Sequence, residues 1–334
     1  MLFSVLIPMY NSIKYISECL NSILTQDFQD YEIVIVDDGS NDGSQTICDA
    51  FQNRYPDKIR VIHKNNEGVL LTRRRAIKEA IGDYCLWVDS DDVIKSGLME
   101  TLAEQITQNS PDLIIYDYEF YNDSESVIHS MQEEDMYILG PNEKQRIYTQ
   151  ILTGRDMNEL WTKCIKKTLF DLSEDYSQFA NVTLGDDMFL LFPVLTGAQK
   201  IEYLRRPFYR YRTVDSSITH STTYASYYSY RTVFERAASY MQIWGIPEAI
   251  CNKARDQFIK RFLSCIINAG KMDIGYREFK NFAKTVLADE RNRPIYSTEK
   301  RRLASMYLNL CYHALQHKNY LILFMLVKIV SVIR

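Results

Sequence analysis

The sequence predicts an α/β protein, with an open, mostly parallel sheet in its first part and an all-helical region at its C-terminal end. Three observations carry this expectation. Short apolar runs alternate with helical patterns from residue 3 to residue 118. The runs are apolar at successive positions rather than at every second one, as in strands covered on both faces. After residue 223 the strand pattern stops and only helical periodicity continues.

Residues 3–7 (Phe-Ser-Val-Leu-Ile) read as the first strand. Residues 12–24 read as a helix with Ile13, Ile16, Leu20, Ile23 and Leu24 on one face. Residues 32–36 make a second strand, and Asp42 is placed to cap a helix that runs to Arg54. A third strand follows at 59–63, then a helix at 70–80 that ends near Gly82. Residues 84–88 form a fourth strand, 98–108 a helix and 113–118 a strand. The stretch from 119 to 215 is less regular: a hairpin over 126–139, helices at 142–152 and 186–195 with Phe189 and Phe192 inward, and a strand at 200–211 broken by Pro207. Helices are expected at 224–244, 247–268, 276–288, 298–316 and 320–333, punctuated by Gly245, Gly270 and Pro294.

The loops after the strands hold the polar residues: Pro8-Met9-Tyr10-Asn11, Asp37-Asp38-Gly39-Ser40, Asn65-Asn66-Glu67-Gly68 and Asp89-Ser90-Asp91-Asp92. In a parallel α/β sheet these loops fall on one edge, where ligands bind beyond the carboxyl ends of the strands. The last is the most informative, because three carboxylates emerge from a buried strand. A hard divalent cation takes oxygen ligands, commonly one or two carboxylates together with phosphate oxygens and water. The alternative is a solvated acidic turn that caps the next helix.

The 334 residues suffice for one large or two modest domains, and 46% hydrophobic with 25% charged residues is ordinary for a globular chain. A formal net charge of -4 gives no global field for nucleic acid. The 24 tyrosines serve packing for the most part, with some available to stack on bases and sugars. Seven cysteines without a C-x-x-C pair signal neither a disulfide framework nor a zinc site and point to a reducing compartment, the cytoplasm. The N-terminus lacks a basic n-region and a cleavage site, so it reads as a strand rather than a signal peptide. No apolar run reaches the roughly 20 residues of a membrane span. The nearest, 321–333, is interrupted by Lys328 and Ser331.

Taken together, the loops resemble family 2 of the inverting glycosyltransferases, with the GT-A fold, and most closely the bacterial capsule and exopolysaccharide enzymes. The matching stretches are Val5-Leu6-Ile7-Pro8-Met9-Tyr10-Asn11, residues 33–44 around Asp37-Asp38-Gly39-Ser40, and Asp89-Ser90-Asp91-Asp92. Trp161-Thr162-Lys163, Gly185-Asp186-Asp187-Met188-Phe189 and Pro207-Phe208-Tyr209-Arg210-Tyr211-Arg212 before Ser216-Ser217-Ile218 also match. The resemblance covers residues 1–218: a nucleotide-sugar half at 1–92 and an acceptor half at 93–218, with a C-terminal helical domain at 219–334.

The resemblance implies a UDP-sugar donor and a divalent metal, Mn2+ or Mg2+. It implies that Asp38 accepts from uracil N3–H, with Pro8, Tyr10, Asn11 and Asn66 around the base. Arg73 is assigned to the nucleotide, although Thr72-Arg73-Arg74-Arg75-Ala76 stands where the family usually has Ala-Arg-Asn-x-Gly. Asp91 is the first choice for the metal. Asp89 serves the ribose or the metal's water shell, beside Ser90, and Asp92 caps the following helix. Asp187 matches the second acid of the family's Glu-Asp pair and becomes the base, with Asp186 replacing the Glu. Arg212 and Ser217 fall where relatives close over the pyrophosphate; Trp161, Lys163 and Asp186 are acceptor candidates. The acceptor is expected to be a glycan or lipid-linked sugar. Basic residues among the C-terminal helices (Arg301, Arg302, Lys318, Lys328, Arg334) suit peripheral contact with the inner face of the plasma membrane, the alternative being a core or homo-oligomer helix.

Three rivals remain. A sugar nucleotidyltransferase wants a glycine-rich basic loop after the first strand, which Pro8-Met9-Tyr10-Asn11 lacks. A dehydrogenase wants G-x-G-x-x-G at the same place. A non-catalytic nucleotide-sugar binding subunit would have no need of both Asp91 and Asp187.

Overall fold

The computed structural model describes residues 1–122, 126–131, 135–138, 141–154, 157–213, 224–271, 274–288 and 306–333. The chain divides into two compact units, Met1–Asp215 and Ser216–Arg334. The expected boundary at 218–219 lies outside the described residues.

The first unit is built on one sheet. Its strands are β1 (Phe3–Met9), β2 (Tyr31–Asp37), β3 (Ile59–His63), β4 (Tyr84–Trp87), β5 (Val93–Ile94), β6 (Leu113–Tyr121), β7 (Ser126–His129), β8 (Met136–Ile138), β9 (Lys163–Lys166) and β10 (Ile201–Arg212). The order is β3-β2-β1-β4-β9-β6-β10-β5, with β7 on β6 and β8 on β10. β3, β2, β1 and β4 run parallel. Every residue of β1, β2 and β4 is buried, as expected of strands covered on both faces. Between them come α1 (Ile16–Leu24), α2 (Ser44–Arg54) and α3 (Val69–Glu79).

α1 starts later than the periodicity predicts. Ser12 to Tyr15 form a turn closed by Tyr15 N–H to Ser12 O, and the Ile13 amide donates to Asp42, which leaves the Ile13 side chain exposed. Asp42 also accepts from the Ser44 amide and hydroxyl, but the cap position of α2 is Gly43, one residue later, so Asp42 is not the expected N-cap.

Beyond β4 the sheet becomes mixed. β9 is antiparallel to both β4 and β6, β10 is parallel to β6, and β5 is antiparallel to β10. The hairpin expected over 126–139 does not form. β7 pairs with β6 and β8 pairs with β10, each antiparallel. The reason lies in strand lengths: β6 and β10 have 9 and 12 residues, whereas β9 and β5 have 4 and 2. The long strands would be left with unpaired backbone groups along their edges, and β7 and β8 satisfy them. The remaining helices are α4 (Leu98–Asn109), α5 (Pro141–Thr153) and α6 (Asp186–Gly197).

The second unit is helical: α7 (Tyr224–Ile243), α8 (Glu248–Lys271), α9 (Tyr276–Ala288), α10 (Met306–Gln316) and α11 (Tyr320–Ile333). α8 packs against the other four. Gly270 lies within α8 rather than beyond its end; a Cβ there would come within 2.8 Å of Val327 Cγ1 on α11, so close helix packing rather than helix termination calls for glycine. The start of the helix expected over 298–316 lies outside the described residues.

Candidate active site

The parallel half delivers its polar loops to one sheet edge, and hydrogen bonds lock them together. Asn11 takes a positive φ of 51°. Its amide donates to Ser40 Oγ at 2.9 Å, and its Oδ1 accepts from the Asn41 amide at 2.9 Å. The loops after β1 and β2 are thereby one piece. Asp37 accepts from the Ser40 amide at 2.9 Å and lies 2.8 Å from His63 Nδ1, whose Nε2 lies 3.0 Å from Asp49. The hydrogen bond to Asp37, reinforced by Asp49, pushes the His63 pKa up against the opposing effect of burial.

Asp38 is buried and gathers the loop after β3. It accepts from Lys64 Nζ, from the Glu67 amide at 2.8 Å and from the Gly68 amide at 2.9 Å. Gly39 has φ +75°, and a Cβ on it would sit 2.9 Å from the Asn66 amide nitrogen, so the two loops touch only because this residue is glycine. Pro8 is buried in β1, paired with Val36 of β2 just past the last residue that pairs with β4. Tyr10 and Asn66 are exposed.

The acidic turn after β4 is held from three sides. Ser90 Oγ lies 2.5 Å from Ser12 Oγ. The Asp89 amide donates to Tyr209 Oη at 3.0 Å, and the same hydroxyl donates to Asp92 Oδ2 at 2.8 Å. Arg212 donates from its amide to Asp92 Oδ1 at 2.8 Å and from Nε to Asp91 O at 3.0 Å, and its guanidinium bonds Glu18. This corrects the expectation for Asp92. It does not cap α4, which starts six residues later behind Gly97; it is buried and ties the turn to β10. Tyr209 was not expected as a site residue. The signal was its two-residue spacing from Tyr211 in a strand, which aligns both rings on one face. With Asp92 turned inward, Asp91 and Asp89 are the carboxylates left at the turn. Burial, and next the charge of Asp89, push the Asp91 carboxyl up to about 6.

Asp186 and Asp187 open α6 behind Gly185, which has φ +77°. Although 98 residues separate Asp89 from Asp187 in sequence, one side chain joins them. Arg73, on α3 and almost fully buried, reaches Asp89 Oδ1 at 3.1 Å, Asp186 Oδ2 at 3.4 Å and Asp187 Oδ1. Burial acts to lower the pKa of its guanidinium, but the charges of Asp186 and Asp89 outweigh that effect and hold it higher. Asp186 is pushed up by its burial, drawn down by Arg73 and pushed up again by Asp89, with a net rise. The neighbouring Arg74 turns elsewhere, to the carbonyls of Asp171 and Glu174.

Trp161 is buried. Its ring stacks on Tyr209 at 4.5 Å and on Tyr211 at 5.3 Å, and meets Tyr118 edge-on at 4.7 Å. Lys163 is fully buried in β9, where its ammonium bonds Glu159 O and Thr162 Oγ1, and burial lowers its pKa to about 8. Lys163, expected to face an acceptor, instead lies inside the sheet: β9 is an interior strand between β4 and β6 covered on both faces, so Cys164 and Ile165 are buried with it. Ser217 lies outside the described residues.

The family model for "Glycosyl transferase family 2" matches residues 4–172, half of the chain. Glycosyltransferase GlyG of Streptococcus pneumoniae is 33% identical over 230 residues, covering 65% of this chain and 72% of that protein. Poly(ribitol-phosphate) beta-N-acetylglucosaminyltransferase TarS of Staphylococcus aureus is 29% identical over 266 residues, 79% of this chain but only 44% of TarS. The crystal structure of residues 1–349 of TarS in complex with UDP-GlcNAc is similar with a TM-score of 0.66 at 23% identity, covering 98% of this chain and 91% of that one. That likeness extends to the GT-A architecture with its helical C-terminal region. With a family model matched over half of its length and a glycosyltransferase relative 33% identical across most of that protein, the chain belongs to glycosyltransferase family 2.

Proposed function

We propose that the protein moves a sugar from a UDP sugar to a hydroxyl of a glycan or lipid-linked acceptor, with inversion and with the help of a divalent metal, in bacterial surface polysaccharide synthesis. The observation that carries this reading is the Arg73 bridge between Asp89 and Asp187. It supports a single cleft in which one acid group faces the leaving diphosphate and another faces the incoming alcohol. The similarity to a UDP-GlcNAc complex favours a uridine donor.

Among the described residues, no three His, Cys, Asp or Glu side chains are arranged to hold a metal. The donor set still fits a hard cation, because a metal on a diphosphate needs only one or two carboxylates from the protein. Asp91, partly exposed and repelled by Asp89, is a carboxylate that a cation would relieve; Asp91 with Asp89 would hold it. When bound, the metal offsets charge on the leaving diphosphate. Asp38, Tyr10 and Asn11 form the base end, and Arg212 and Tyr209 keep the acidic turn in place. Asp187 accepts the proton of the acceptor hydroxyl as its oxygen attacks C1. The C1–O bond to the nucleoside diphosphate breaks with its electron pair on the diphosphate. Trp161 backs an aromatic wall whose outer ring, Phe120, is exposed and meets Tyr211 at 5.7 Å, a surface on which an acceptor sugar can stack.

Thermal unfolding with a panel of nucleotide sugars tests the donor. A UDP sugar with Mn2+ is expected to raise Tm, since a ligand that binds only the folded state stabilises it. No shift with any uridine species rejects the donor assignment.

Metal binding is expected to depend on pH through Asp91. Its raised pKa means that the folded protein holds this proton below about pH 6. Metal needs the carboxylate, so apparent affinity falls by up to about tenfold per pH unit below that point and levels off above it. Titration of Mn2+ and UDP at pH 5 and pH 7.5 checks this; equal affinities rule Asp91 out.

Peripheral membrane contact rests on α10 and α11. Met306, Leu310, Leu321, Ile322, Met325 and Ile329 are exposed on them. From 306 to 333 there is no Asp or Glu, while Lys318 and Lys328 are present. No described helix is long and apolar enough to cross a membrane. The protein is expected to sediment with anionic vesicles more than with neutral ones, and the double substitution of Leu321→Asp and Met325→Asp is expected to remove that binding. Unchanged sedimentation of the variant rejects the contact, and a concentration-dependent mass without vesicles points to a homo-oligomer instead.

A further inference from the structure

Two consecutive arginines on α3 are both buried and serve different partners. Arg73 faces the acids. Arg74 donates from Nη1 to Asp171 O and from Nη2 to Glu174 O at 2.7 Å, and its guanidinium lies 4.5 Å from the Tyr176 ring centroid. These hydrogen bonds go to backbone carbonyls, so Arg74 fixes the path of the segment 171–176. Tyr176 then donates to Phe189 O at 3.2 Å, three residues into α6 from Asp186, and its ring lies 6.1 Å from that of Phe189. Phe179 meets Phe189 at 4.9 Å. The start of α6 has no side-chain cap, so neighbouring packing determines where it lies.

We propose that Arg74 is a positioning residue for the transfer: by holding the 171–176 strap, and through Tyr176 the first turns of α6, it sets the distance between Asp187 and the Asp89–Asp92 turn. The inference rests on the reading of Asp187 as the base. A guanidinium suits the task because its planar fork reaches two carbonyls at once while its face covers an aromatic ring, which an ammonium does not do. One helix, α3, thus carries both the residue that pairs with the acid and the residue that locates it. A displacement of about 1 Å at a reacting group can cost about 100-fold in rate.

The test compares Arg74→Ala, Arg74→Lys and Tyr176→Phe in the full chain. Arg74→Ala is expected to lower kcat by about 10- to 100-fold. Donor KM and the Kd for UDP should stay within about twofold, because the base end and Arg73 are untouched. Arg74→Lys is expected to recover part of the loss, and Tyr176→Phe to show a smaller loss with the same split. Hydrogen exchange of amides in 171–189 should quicken in Arg74→Ala while those of β1 and β2 stay protected. A folded Arg74→Ala with native kcat, or with kcat and UDP affinity reduced together, overturns the proposal. If Arg74→Ala does not fold, Arg74→Lys and Tyr176→Phe decide it, and native kcat in both overturns it. If the wild-type protein transfers no sugar, the reading of Asp187 as base fails separately. Unchanged exchange in 171–189 would then still refute the strap role of Arg74.

Discussion

Replacing Asp187 by Asn is expected to abolish sugar transfer while nucleotide binding stays near its native strength. The substitution keeps the size of the side chain and a carbonyl oxygen for Arg73 to contact, but it removes the carboxylate proposed to take the acceptor's proton. General base catalysis contributes about 100- to 10,000-fold, and a loss of that order in kcat is the expected result. In the proposed site, UDP is held by the base end around Asp38 and by the acidic turn, neither of which contains Asp187. Calorimetric titration of UDP with Mn2+, beside a transfer assay, separates the two effects. A variant that transfers at the native rate removes Asp187 from the chemistry. A variant that loses UDP binding as well assigns it to the donor site. The same experiment discriminates a non-catalytic binding subunit, in which neither quantity would depend on this residue.

The parallel half of the sheet was legible because its strands are covered on both faces, and apolar runs such as residues 33–36 have no other reading. The acidic turn was legible for a related reason: Asp89 to Asp92 follow such a run directly. Beyond β4 the sequence was less informative. Lys163 and Lys166 in β9 break the apolar pattern, yet Lys163 is buried with its ammonium on Glu159 O and Thr162 Oγ1, a local pairing that no periodicity announces. The hairpin at 126–139 failed because pairing depends on which edges remain open, a property of the whole sheet. Asp92 reads as a cap for the following helix, because the sequence shows only its near neighbours. What separates it is a hydroxyl and an amide 117 and 120 residues away, on Tyr209 and Arg212. The motif located Arg73 through its spacing to Asp89, but its contact with Asp186 and Asp187 needed the fold.

Substituting Arg73 by Met should produce the largest loss of stability of any single change at the site. Its guanidinium is the shared cation for Asp89, Asp186 and Asp187, and both Arg73 and Asp186 are buried. Methionine fills much of the same volume, so the loss is electrostatic rather than a cavity. Removing one partner of a buried ion pair costs about 3–5 kcal/mol, because the remaining charge is left in a low-dielectric site. The sign of the pH dependence follows. Asp186 already has a raised pKa, and without Arg73, which acts to lower it, the rise must grow. A carboxyl whose folded pKa is raised favours the folded state below its unfolded pKa, and that contribution is lost as pH rises through the folded value. The deficit of Arg73→Met relative to wild type is therefore expected to be greater at pH 8 than at pH 5, where Asp186 protonates more readily. Urea unfolding of the full chain at both pH values measures this. A deficit below about 1 kcal/mol that does not change with pH would mean that the acids find other partners, and that Arg73 does not hold the two halves of the site together.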